Sequence, residues 1–322
     1  MDGKPSLKER PRVSVVVPAY NEAGNVGEVV EAVAQAFAAL GVEGELVLVD
    51  DGSTDGTAEE AAAAAQRHPF VRVLTHRRNL GLTEALETGF RAARGEVVML
   101  LPADMESDPR EDIPKLLAKL EEGYDVVAGW RQGRRDGKVL ASRIYNAVSR
   151  WLFQVQAHDM NWIKAFRREV VEDLLPLRSD WHRFVLMIAA SKGYRVGEVQ
   201  VNYYPRRRGK SKFGVLRIPV SFLDVLVVKF LLTFSRKPML FFGSLGLLCF
   251  LVGGALYLYL LGLWLSLGKQ QRPIFIFAGV LVLAGLLLFL IGFLAELVVS
   301  QQDRLEELER AVRDLAKRRS DE

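Results

Sequence analysis

Two apolar blocks near the C-terminus limit what this chain can become before any other feature is weighed. Met239 to Leu267 and Ile274 to Ser300 are nearly free of charge, and each exceeds the roughly 20 residues an α-helix needs to cross a bilayer core. A buried helix of a soluble core is normally shorter and keeps a polar face. Both blocks are therefore expected to span a membrane. The opening "MDGKPSLKERP" is charged and lacks the apolar stretch of an export signal, so the first 230 residues are expected to stay in the cytosol. Basic residues agree: Arg236 and Lys237 precede the first block, six Lys or Arg follow the second, and only Lys269 and Arg272 lie between. The expectation is a multi-pass protein of the plasma (inner) membrane, a hairpin with both ends cytosolic.

The net charge of +4 conceals a concentrated run, "YYPRRRGKSKFGVLR", at 203–217. Such a run suits nucleic acid, but this one leads straight into an amphipathic stretch and the membrane, where lipid headgroups already offer phosphates. No nucleic-acid partner is expected. The stretch "FGVLRIPVSFLDVLVVKFLLTF" (213–234) is apolar but interrupted by Arg217, Asp224 and Lys229, which suits helices lying in the membrane interface. In the tail, Leu305, Leu308, Val312 and Leu315 recur at 3-4-3 spacing, either a seam for pairing with a second copy or the apolar side of a solvated helix. Cys249, the sole cysteine, lies in a span, and the four histidines are scattered. Disulfides and Cys-based metal sites are excluded.

The first 130 residues alternate short β-branched runs with helical patterns, the signature of a parallel sheet with crossover helices. Strands are read at 13–17, 46–49, 71–75, 97–101 and 125–129, with helices starting after Asn25, Thr57, Leu82 and Pro109. From Val139 to Arg195 the pattern is mainly helical, followed by a strand at "VGEVQVNY". Near-continuous apolar strands imply a sheet covered on both faces, with ligands at the strands' carboxyl ends. Three polar clusters fall there: "PAYNE" (18–22), "DDGSTDGT" (50–57) and the acids of "PADMESDP" (102–109). Such a rim can hold a nucleotide, with Asp51 for base or ribose hydrogen bonds, Tyr20 over the base, and the acids for a divalent cation. No G-x-G-x-x-G follows the first strand, and the "GKS" at 209–211 has Tyr204 where a phosphate loop requires glycine.

With these motifs, "NLGLTEALETGFRAARGE" (79–96), "GWR" (129–131), "HDMNWIKAFRREV" (158–170) and "RRRGKSKF" (206–213) in order, the chain resembles family 2 glycosyltransferases, specifically the polyprenyl-phosphate group similar to dolichyl-phosphate mannose synthase. The resemblance covers about residues 12–215. It implies an α/β GT-A (nucleotide-diphospho-sugar transferase) domain at 12–212 after an N-terminal tail at 1–11. Interfacial helices at 213–235, a transmembrane hairpin at 236–300 and a cytosolic helical tail at 301–322 then follow.

The implied activity is inverting transfer of one sugar from a GDP- or UDP-linked donor to undecaprenyl or dolichyl phosphate. Pro18, Tyr20, Glu22, Asp51, Asp104, Arg206 and Lys212 would hold the nucleotide sugar. Asp104 and Glu106 would hold Mg2+ or Mn2+. Pro102 replaces the first acid of the group's Asp-x-Asp-x-Gln pattern. Arg131 would meet the acceptor phosphate, Arg206 and Lys212 would stabilise the leaving diphosphate, and Asp159 would act as base or orient a sugar hydroxyl. Trp162 brings an indole where the group commonly has a small residue, so the family's sugar does not carry over. Two rival readings remain: a processive polysaccharide synthase, whose Gln-x-x-Arg-Trp is met only by "AVSRW" with Ala147 in the glutamine's place, and a catalytically inactive scaffold that binds the lipid carrier.

Overall fold

The valine-rich run Val13–Ala19 forms the central strand β1, buried on both faces as its apolar pattern requires. The computed structural model describes residues 11–133, 147, 153, 155, 157–177, 181–205, 227, 229, 230, 237–268 and 272–321. The chain divides into two units, Met1–Val225 and Leu226–Glu322. In the first unit β1 is followed by α1 (Val26–Leu40), β2 (Gly44–Asp50), α2 (Thr57–Arg67), β3 (Val71–Thr75), α3 (Leu82–Ala92), β4 (Val97–Leu100), α4 (Pro109–Glu121) and β5 (Val126–Gln132). Then come β6 (Lys164–Arg167), α5 (Arg168–Leu174), a 3-10 turn (Trp181–Arg183), α6 (Val185–Ser191) and β7 (Val196–Asn202).

The seven strands lie in the order β3-β2-β1-β4-β6-β5-β7. The five strands of the first 130 residues run in one direction, as expected, and the sheet is made mixed by β6, which runs antiparallel to both β4 and β5, while the other pairings are parallel. The strand "KAFR" was hidden in a stretch read as helical. Four residues running directly into α5 are too few for a two-residue alternation to show. Its reversed direction matters, because it carries the residues that precede β6 to the carboxyl end of β4 and β5.

One face of the sheet packs Val15, Val17, Leu46, Leu48, Met99, Ile163 and Ala165 against α1 and α4. On the other, α3 presses so closely on β1 that a methyl group at Gly89 would lie 2.3 Å from Val16 Cγ1. Helix α4 starts at Pro109 behind Asp108, whose side chain accepts from the Arg110 amide at 3.0 Å. Helices α2, α3 and α4 begin on Thr57, Leu82 and Pro109 themselves, one residue earlier than expected.

The second unit contains α7 (Pro238–Leu267) and α8 (Arg272–Asp321). Both are long and apolar enough to cross a membrane, over Pro238–Leu267 and Arg272–Gln301. Their outer surfaces expose Phe250, Leu258, Leu265, Ile276, Phe277 and Phe293, a surface stable in hydrocarbon and costly in water. Where the helices touch, glycine lets the backbones meet. A methyl group at Gly285 would lie 2.7 Å from the Gly246 carbonyl oxygen, and one at Gly246 equally close to that of Gly285. Glu296 on α8 accepts the Met239 amide N–H at the start of α7, at 3.1 Å. Gly285→Leu should therefore cost about 1–3 kcal/mol of overpacking and lower the unfolding midpoint of the detergent-solubilised protein. Gly254→Leu, where an added Cβ meets nothing within 4 Å, should leave it in place.

The tail continues α8 without a break, so the helix is about 75 Å long over its 50 residues. Leu305 and Leu308 of the expected seam are exposed; the side chains of Val312 and Leu315 lie outside the described residues. So does the expected interfacial segment at 213–235, apart from Val227, Lys229 and Phe230.

Candidate active site

The loops after β1 and β2 are knitted into one platform. The Asn21 amide donates to Ser53 Oγ (3.0 Å), the Thr54 amide returns to Asn21 Oδ1 (2.8 Å), and the Glu22 amide donates to Thr57 Oγ1 (2.8 Å). Asn21 takes a left-handed φ of 54° to make this turn. Much of "DDGSTDGT" thus shapes the neighbouring loop. Pro18, Tyr20 and Glu22 are half-buried on the platform, and Glu22 also accepts from the Asn25 side chain at 2.9 Å.

Asp51 is buried and reaches the next loop. Its carboxylate accepts from the Leu80 and Gly81 amides at 2.9 and 2.8 Å, and from His76 Nδ1 at 2.7 Å. His76 Nε2 lies 3.0 Å from Thr88 Oγ1. Gly52, at φ 67°, lets this connection close, because a methyl group there would lie 2.3 Å from the Arg78 backbone. His76 thus braces a residue assigned to the nucleotide.

After β4 the chain turns sharply at Met105, a non-glycine residue at φ 57°. A left-handed residue of this kind costs about 1–2 kcal/mol, offset by burying the Met105 side chain in the core. The turn sets Asp104 and Glu106 on either side, and Asp104 Oδ1 accepts the Glu106 amide at 3.1 Å. No group of three or more His, Cys, Asp or Glu side chains gathers to hold a metal among the described residues. Two carboxylates fit a hard divalent cation that keeps waters and takes its remaining ligands from substrate phosphates. The Glu106 carbonyl accepts the Tyr204 amide at 3.0 Å, and the Tyr204 hydroxyl donates to Glu111 at 2.9 Å. The end of β7 is thereby tied to the acid loop two residues before Arg206. Arg206 and Lys212 themselves lie outside the described residues.

The reversed strand completes the rim. Arg131, near the end of β5, grips Asp159, on the loop before β6, through Nε to Oδ2 (2.5 Å) and Nη2 to Oδ1 (3.1 Å). Both side chains are about nine-tenths buried, at 11 % and 9 % exposure. The guanidinium also rests 4.4 Å over the Trp162 ring. Both carboxylate oxygens are thereby engaged by the guanidinium. Sequence reasoning missed Lys164, a buried cation at the head of β6. The signal available was one charge inside the otherwise apolar "WIKAF".

Behind the acid loop, Asp112 is buried in α4, and its Oδ2 finds no hydrogen-bond partner among the described residues. Burial pushes its carboxyl up to about 7, against the pull of Lys115. Because the folded value lies above the unfolded one, the stability it contributes is complete below about pH 4 and is lost as pH rises through 7. Asp112→Asn should remove that loss. The variant's unfolding midpoint should exceed the wild type's at pH 8 by the equivalent of on the order of 2–4 kcal/mol, and the gap should shrink towards pH 5.

The family model of glycosyl transferase family 2 matches residues 14–175. Dodecaprenyl-phosphate galacturonate synthase of Rhizobium johnstonii is 34% identical over 296 residues, covering 89% of this chain and 87% of that protein. Undecaprenyl-phosphate 4-deoxy-4-formamido-L-arabinose transferase of Pseudomonas paraeruginosa is 34% identical over 290 residues, with 88% and 84% covered. Among solved structures, glucosyl-3-phosphoglycerate synthase from Mycobacterium tuberculosis with Mn2+, UDP and glucosyl-3-phosphoglycerate superposes with a TM-score of 0.55. It is 21% identical and covers 71% of this chain and 86% of that one, a likeness of fold.

Proposed function

This chain belongs to glycosyl transferase family 2, and from that premise we propose that it transfers a single sugar from a nucleoside-diphosphate sugar to a polyprenyl phosphate at a membrane surface. The observation that carries this reading is the convergence of Asp104, Glu106, Arg131 and Asp159 on one rim of the sheet, made possible by the reversed β6. Relatives named for transfer to dodecaprenyl or undecaprenyl phosphate support the acceptor class. The UDP complexes of the structural neighbours make UDP-linked sugars the first donors to test.

Asp104 and Glu106 would hold Mg2+ or Mn2+, which when bound neutralises charge on the departing diphosphate. Arg131 presents the guanidinium edge not used by Asp159 to an anionic oxygen. That oxygen is already charged in a lipid monophosphate, so attack on the anomeric carbon needs placement more than a strong base. Asp159 keeps Arg131 in position. Arg206 and Lys212, which follow Tyr204 in the sequence, would add positive charge at the leaving group. Inversion follows from this single displacement. The two apolar helices and the relatives named for polyprenyl-phosphate transfer support a membrane protein; in this reading the domain at 12–212 would lie on the cytosolic side and a second copy would pair through the spans or tail.

The test is incubation of the purified full chain with Mg2+, labelled UDP- or GDP-sugars and a polyprenyl phosphate. A single-sugar lipid is expected. A polymer would instead identify a synthase, and lipid binding without turnover a scaffold.

A further inference from the structure

Lys164 is 2 % exposed, yet among the described residues its ammonium makes one hydrogen bond, to the Trp162 carbonyl oxygen at 2.9 Å, and no ion pair. The charges that reach it are Asp159, which attracts, and Arg131, which repels. Both Asp159 oxygens already face Arg131. Among the described residues the group of Arg131, Asp159 and Lys164 therefore sets one carboxylate against two cations, one positive charge more than the group itself balances.

Among the described residues the surroundings of Lys164 do not supply the missing anion. Opposite it, β4 and β5 offer Leu100 and Ala128. Helix α4, with buried Asp112, packs on the other face of the sheet beside Ile163 and Ala165. Helix α5, with Arg168, Glu169, Glu172 and Asp173, leaves from the far end of β6. Beside the cluster, the Trp162 indole N–H is buried with no acceptor among the described residues. A lone buried cation and an unused buried donor are each costly, and both sit against the arginine assigned to the substrate.

We propose that Lys164 is a positioning residue that keeps the Arg131–Asp159 pair one positive charge in excess, so that the cluster is completed only when Arg131 and the Trp162 N–H take an anionic oxygen of a substrate. This rests on the transferase reading. The chemistry is that of an oxyanion, and two substrates can bring it: the lipid phosphate, or the carboxylate of an acidic donor sugar. Burial pushes Lys164 down to about 8, with Arg131 adding to the fall and Asp159 opposing it. The excess charge is thus present at neutral pH and lost as pH rises through 8.

The experiment follows full-chain turnover with Mg2+ and a polyprenyl phosphate from about pH 6.5 to about 9.5, with an acidic UDP-hexuronate and a neutral UDP-hexose in parallel. In the wild type, kcat/KM for the oxyanion-bearing substrate should fall as pH rises through about 8 and level off about tenfold lower. Lys164→Arg, which does not deprotonate, should keep activity and lose this alkaline limb. Lys164→Met should raise that substrate's KM about tenfold at neutral pH, with a smaller change in kcat and no drop in unfolding midpoint. A limb in the lipid's KM with either donor assigns the oxyanion to phosphate; a limb confined to the hexuronate's KM assigns it to the sugar. Turnover whose limb survives in Lys164→Arg overturns this inference alone and does not depend on Lys164→Met folding. A wild type that makes no lipid product overturns the transferase reading and this inference with it.

Discussion

Asp104→Asn should lower lipid-linked sugar formation by about a hundredfold to a thousandfold, the scale seen when charge stabilisation at a reacting group is removed. The substitution is nearly isosteric, and an amide oxygen still accepts the Glu106 amide that Asp104 Oδ1 now holds at 3.1 Å. The left-handed turn at Met105 and its buried side chain should persist. What disappears is one negative charge at a two-carboxylate site, so the apparent affinity for Mn2+ or Mg2+ should fall and added metal should restore part of the rate. Glu106→Gln should cost less, since it installs the glutamine that the Asp-x-Asp-x-Gln pattern of the resembled group carries at this position. Initial rates against metal concentration at saturating donor decide the matter. Full activity of Asp104→Asn at limiting metal would remove this loop from the chemistry.

Asp159→Ala should be the most destabilising change at the rim, and more so than Arg131→Ala. Removing one partner of a buried ion pair costs about 3–5 kcal/mol, because the other charge remains buried. Here the loss is uneven. Without Arg131, Asp159 still has the Lys164 ammonium to oppose it, whereas without Asp159 two buried cations repel each other across the cluster. Chemical unfolding of both variants and of the double variant gives the interaction between the two sites. Both single variants should also lose turnover, because Arg131→Ala removes the guanidinium and Asp159→Ala releases the grip that holds it over Trp162. An Asp159→Ala variant milder than Arg131→Ala would contradict the charge count.

Much of the rim was legible from residue order alone. Five runs of β-branched residues announced strands, and "PAYNE", "DDGSTDGT" and "PADME" fell at their ends because loops at the carboxyl edge of such a sheet carry polar side chains. The antiparallel β6 was not legible. Its four residues lie between a polar loop and α5, and their pairing with β4 and β5 is a contact between segments far apart in sequence. The roles of Ser53, Thr57 and His76 were hidden for a related reason. A hydroxyl or imidazole in a turn reads the same whether it meets a ligand or the neighbouring loop.

The chain's own order of residues determined the two long apolar helices, the polar rim at the strands' carboxyl ends and the family, since each rests on periodicity or on motifs read within short windows. Only the tertiary structure decided which charges meet. Arg131, Asp159 and Lys164 come together because a reversed strand is inserted between β4 and β5, and Gly246 meets Gly285 because two helices fold back on each other. The physical reason is one of distance: propensity and hydropathy act between near neighbours in the chain, whereas the energy of a buried charge depends on whatever the fold brings within a few ångströms.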